Sequence, residues 1–154
     1  MPFIVEFKNY IRKKITKKCN SKLEIIEKFI EVSKEDEDKT FFLKKKGDYL
    51  RWNADCLEGE KLKIVSDKCL KAYEGAKIFA EKLPLTNEIR LGLFLNMSVL
   101  YYGNIKDHQK AKKITKSVIE EVKGPIQKLD EEENKGIIRI YNLLKENLDM
   151  WEEE

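Results

Sequence analysis

The chain has 154 residues, with 38% charged side chains, 42% hydrophobic ones, and only 7 Gly and 3 Pro; this describes one domain, residues 1–154, with enough apolar material for a core and a bias towards helix. A net charge of +3 is too small for the whole chain to act as an electrostatic nucleic-acid binder, and no apolar run approaches the roughly 20 residues of a membrane span. Cys19, Cys56 and Cys69 are odd in number and form no CxxC, so they read as reduced, mostly core-packing thiols of a cytosolic protein.

Residues 3–30 carry one apolar stripe: Phe7, Ile11, Ile15, Cys19, Leu23, Ile26 and Ile30. Spacings of three and four predict a long amphipathic helix. Lys8, Arg12, Lys13, Lys17 and Lys18 lie on its other side, which is either a solvated face or an anion-binding arm. Ser33-Lys34-Glu35-Asp36 resembles a capping box, and a second helix is expected over about 37–57. Gly59 separates it from a third, about 61–82, which Pro84 breaks. Thr86 or Asn87 can cap a fourth helix, with Gly103 and Asn104 as its stop. Asp107 caps a fifth, about 108–123, ended by Gly124-Pro125; Asp130 with Glu133 caps a sixth, about 131–152. No strand-like alternation competes. The expectation is all-α, six antiparallel helices with short loops.

Enzyme chemistry finds no purchase. The one histidine, His108, follows a helix cap, and no zinc-protease motif, Gly-rich phosphate loop or nucleophile elbow appears. The chain implies no metal and no cofactor. A binding face is the stronger candidate. Lys44 and Arg51 are seven residues apart, close to two helical turns, so they share a face, with Trp52 beside them. Leu95, Asn96 and Val99 share a face of the fourth helix; Leu143, Asn147 and Trp151 share one of the sixth. A carboxamide both donates to and accepts from a peptide unit, and neighbouring cations suit a phosphate. The competing reading makes the Leu, Val and Trp residues core and the asparagines caps or surface.

The segments KGDYLRW (46–52), IRLGLFLNMSVLYY (89–102) and LLKENLDMW (143–151) together resemble the 14-3-3 family of phosphoserine and phosphothreonine adaptors, in order and spacing, along nearly the whole chain. The resemblance implies helices four to nine of a nine-helix cup that normally dimerises, without the first three. By that resemblance Lys44, Arg51 and Trp52 hold phosphate, Trp52 standing where the family has tyrosine. Leu95, Asn96, Val99, Leu143, Asn147 and Trp151 hold the peptide, the two asparagines clamping its backbone. Gly103 replaces a glutamate, and Lys145-Glu146 an Arg-Asp pair. The missing third helix supplies two further phosphate-binding cations. At about 1.5–3 kcal/mol for each charge-assisted bond, their loss implies binding weakened by about 3–6 kcal/mol, on the order of a hundredfold to ten-thousandfold. The expected function is therefore a weakened phosphopeptide adaptor in the cytoplasm, whose partners are phosphorylated protein segments rather than nucleic acid or membrane. The alternative is an assembly protein with a vestigial groove. It would pair with a second copy or another protein through residues 3–30, where Phe3, Phe7 and Tyr10 would lack cover.

Overall fold

The computed structural model describes residues 2–154. They form six helices: α1 (Pro2–Val32), α2 (Asp36–Ala54), α3 (Gly59–Ala80), α4 (Glu88–Leu100), α5 (His108–Ile126) and α6 (Lys135–Glu153). A five-residue π-helical segment, Tyr101–Ile105, prolongs α4. There is no strand among the described residues, and no helix is long and apolar enough to cross a membrane.

Each helix packs on the next in sequence. The even-numbered helices also touch along a row, α2 on α4 and α4 on α6, whereas α1, α3 and α5 stand apart from one another. Closer spacing in one row than in the other curves the array, with α2, α4 and α6 on the inside.

The core lies along α3 and α4. Ala72, Ala76 and Ala80 give α3 a small-residue edge, and Tyr73, Leu91, Leu93, Met97, Leu100 and Leu144 fill the space beside it. The ring of Tyr73 lies against α2 at Gly47, where any Cβ would overlap it. Arg90, at the start of α4, closes the end of α3. Its Nη1 donates to the carbonyls of Ala80 (3.3 Å), Glu81 (3.1 Å) and Leu83 (2.9 Å), at a helix end where carbonyls lack i+4 partners.

Several boundaries differ from the sequence expectation. Ser33 does not cap α2: its hydroxyl donates to Phe29 O at 2.6 Å and finishes α1. Helix α2 starts without a side-chain cap, and Asp36, Glu37 and Asp38 in its first turn complement the helix dipole instead. Gly59 is the first residue of α3 rather than a separator, with φ +61°, a conformation glycine takes at little cost. Asn87 is the cap of α4, its Oδ1 accepting from Arg90 N at 3.0 Å. Gly103 and Asn104 do not stop that helix. The turn widens through them, and Lys106 (φ 65°) ends it, Asp107 N donating to Tyr101 O at 2.9 Å. Asp107 caps α5 as expected. Gly124-Pro125 does not end α5, which reaches the buried Ile126; Pro125 lacks the N–H that would bond the Glu121 carbonyl, and burial of Ile126 offsets that loss. Asp130 accepts from the backbone of Glu132 and Glu133, both at 3.0 Å. It therefore organises a turn over 131–134, and α6 begins only at Lys135.

Burial of the α1 stripe is graded. Cys19 and Ile26 are buried against α2, but Phe7 is 55% and Ile11 38% exposed, because α1 outreaches the helix it packs on. Cys69 is also buried and Cys56 half-buried, all three as free thiols.

Candidate functional site

The residues singled out on α2, α4 and α6 come from the three helices of the inner row. Lys44, Arg51, Leu95, Asn96, Val99, Leu143 and Asn147 are all half-buried, the state of side chains that line a face without being sealed into a core. Trp151 is buried instead. It stacks on Tyr102 with ring centroids 4.4 Å apart, and Tyr102 stacks in turn on His108 at 4.1 Å. Trp151 therefore supports the end of the wall from behind. Trp52 is 45% exposed and meets Tyr49 edge to face at 5.0 Å. Being next to Arg51 in sequence, it is turned about 100° around α2 from it.

The centre of the face is an acid that the sequence reading passed over. Asp48 is buried between α2, α3 and α4. Its Oδ2 accepts from Lys44 Nζ at 2.9 Å; its Oδ1 accepts from Tyr73 Oη and from Asn96 Nδ2, each at 2.7 Å. One carboxylate thus fixes a cation and a carboxamide of the proposed ligand face and ties them to α3. Its position was open to inspection, four residues after Lys44 and three before Arg51. The Tyr73 contact, 25 residues away, left no trace in local spacing. Gly92 also matters: a Cβ there would sit 3.3 Å from Lys44 Cε, so a bare backbone lets the lysine lie across α4.

Arg51 is held differently. Its side chain is 17% exposed, and its nearest carboxylate oxygen, on Asp55, is 3.9 Å away, beyond hydrogen-bond reach. Asp55 is itself engaged by Asn104 Nδ2 at 2.9 Å. The Arg51 Nε is buried with no partner. Burial works against the guanidinium charge, but Tyr73, Asp55 and Asp48 outweigh it, and the Arg51 pKa is raised. Burial and the neighbouring Asp48 push the Tyr73 phenol up as well. Burial pushes the Cys69 thiol up to about 12, with Arg51 pulling the other way; its Sγ donates to Gly47 O at 3.1 Å. The face thus presents one charged arginine without a close ion pair, one lysine already paired, and two carboxamides. Among the described residues no cluster of His, Cys, Asp and Glu could hold a metal.

The family model for 14-3-3 proteins matches residues 1–152. The chain is similar to 14-3-3 protein 2 of Entamoeba histolytica, with 38% identity over 96% of this chain and 63% of that protein. It is also similar to 14-3-3 protein 8 of Solanum lycopersicum, at 37% over 94% of this chain and 56% of the relative. The checkpoint signal transducer rad25 of Schizosaccharomyces pombe is 36% identical over 96% of this chain and 56% of its own length. The chain therefore spans 56–63% of the length of these relatives.

Proposed function

The chain belongs to the 14-3-3 family, and from that premise we propose that it is an adaptor, not an enzyme, which takes a segment carrying phosphoserine or phosphothreonine along its inner face. Arg51 grips the phosphate, with Lys44 and Trp52 beside it. Asn96 and Asn147 clamp the peptide backbone, and Leu95, Val99 and Leu143 meet its side chains, with Trp151 behind them. The chain corresponds in this reading to the last six helices of the family fold. The name of the yeast relative, a checkpoint signal transducer, fits a signalling role of the same kind.

The observation that carries the proposal is the state of Arg51: ionised, largely buried, and 3.9 Å from its nearest acid. A guanidinium so placed has hydrogen bonds left to give, and a phosphate accepts them in bidentate geometry. Lys44 contributes less, because Asp48 already neutralises it at 2.9 Å. One loosely paired cation and one tightly paired cation make this 154-residue chain a weak phosphate binder by itself.

Calorimetric titration with the phosphorylated and unphosphorylated forms of one peptide tests the proposal. The phosphorylated form should bind tighter, and Arg51→Gln should shrink that difference by about tenfold to a hundredfold, the equivalent of one charge-assisted contact. Equal affinity for the two forms overturns phosphate recognition.

A second reading rests on a separate observation. Phe3 is 76%, Phe7 55% and Tyr10 52% exposed on α1, the two phenylalanine rings stacking at 6.4 Å. An open aromatic patch of this kind favours assembly with a second copy or another protein. Light scattering over a concentration series decides it: growth in mass supports assembly, and a monomer throughout removes it.

A further inference from the structure

The side of the molecule away from the proposed phosphopeptide face carries a second groove. Because α1 and α3 stand apart over the outer face of α2, they leave a hollow of about 880 Å³, which adjoins another of about 490 Å³; Asn20, Asn53 and Val65 line both. Lys13, Lys17, Lys61, Lys68 and Lys71 rim these hollows and are exposed. None of the five has an ion-pair partner among the described residues, whereas Arg12 is held by Glu58 at 2.6 Å and Lys46 by Glu27 at 2.5 Å. Glu24 is the one acid of the rim outside those pairs. The floor holds a buried asparagine, Asn53, 6% exposed. Its Oδ1 accepts from Thr16 Oγ1 at 2.8 Å, and its amide nitrogen makes no hydrogen bond to the described residues. Beside it lie the apolar Leu50, Leu57 and Val65.

We infer that this outer groove is a docking site for an acidic, unphosphorylated peptide segment of a partner protein. Five unpaired lysines against one free acid set the sign of the ligand. The Asn53 amide, on a side chain held in the floor by Thr16, offers a donor to a carboxylate or a peptide carbonyl, and the Leu and Val floor receives apolar side chains between the acids. A nucleic acid fits less well. Three rim acids, Glu24, Glu27 and Glu58, would face a continuous phosphate ladder, and no aromatic ring lines the hollows for a base to stack on. The site is independent of the inner face, so it stands or falls apart from phosphate recognition.

Fluorescence anisotropy with a labelled peptide of mixed Glu, Asp and Leu, free of phosphate, tests the inference on the full chain. The peptide should bind, and the triple variant Lys17→Glu, Lys61→Glu, Lys68→Glu should weaken it by at least about tenfold. A control triple variant, Lys113→Glu, Lys123→Glu, Lys128→Glu, changes the net charge equally on other surfaces and should retain binding. Asn53→Asp keeps the acceptor for Thr16, places a carboxylate on the floor, and should also weaken binding, its folding checked by thermal melting. Arg51→Gln should leave binding unchanged. No binding by the natural sequence, equal losses in the two triple variants, or tighter binding of a single-stranded DNA oligonucleotide or of phosphatidylserine vesicles would each overturn it.

Discussion

The inner and outer sides of this array treat their charges in opposite ways. On the inside, α2 touches α4 and α4 touches α6, and a charged side chain there is caught between backbones. Asp48 takes three hydrogen bonds from three directions, and Lys44 has lost most of its water. On the outside, α1 and α3 are separated by the width of α2. The lysines there project into solvent, and the Arg12–Glu58 pair has side chains 35% and 79% exposed. The same residue types thus fix geometry on one side and supply long-range attraction on the other. Helix spacing, not composition, makes the difference, because it sets how much water each charge retains.

Removing the inner acid should break this contrast most severely. Asp48→Ala strands the buried Tyr73 hydroxyl and the Lys44 ammonium together. Stability should fall by about 3 kcal/mol, the low end for a broken buried pair because Lys44 keeps some solvent contact; urea denaturation measures it. Asp48→Asn should cost less, since it retains an acceptor for Tyr73.

The core beside Asp48 should also give a pH signature, larger than that of Cys19 on α1, whose thiol burial raises in the same direction. The Cys69 pKa is raised from 9.0 to about 12 in the folded chain. A thiol raised on folding contributes undiminished stability below pH 9.0 and loses it progressively as the pH climbs towards about 12. Tyr73 shifts in the same direction. Chemical denaturation at neutral pH and at pH values between those limits should show the fall, and Cys69→Ser should flatten part of it. At neutral pH, Cys69 should resist a thiol reagent until the protein unfolds.

The outer pair gives the smallest effect. Glu58→Gln should change stability by less than about 0.5 kcal/mol, as exposed ion pairs do. A loss approaching that of Asp48→Ala would erase the distinction between the two sides.

Much of this molecule was legible in one dimension, for identifiable reasons. Stripes at spacings of three and four announced the helices, and Asp107 and the pair Thr86-Asn87 announced two helix starts, since a cap acts within three residues of itself. Other boundaries failed where a nonlocal contact overrode the local signal. Gly124-Pro125 reads as a stop, yet burial of Ile126 carries α5 past it. Ser33 reads as the start of a helix, yet its hydroxyl closes the one before. At the candidate site, spacing grouped Lys44 with Arg51 and placed each asparagine among apolar neighbours. It gave no hint that Lys44 bonds its acid at 2.9 Å while Arg51 stands 3.9 Å from its own.

By itself, then, the sequence determined the helices, the likeness to a family, and which residues share a face, because these follow from periodicity and short-range bonding. Only the tertiary structure decided which charges are paired, which face is enclosed, and that a basic groove opens on the far side. Those depend on the distance between helices far apart in the chain, and that distance is set by side-chain volumes such as the Tyr73 ring against Gly47, which no local pattern records.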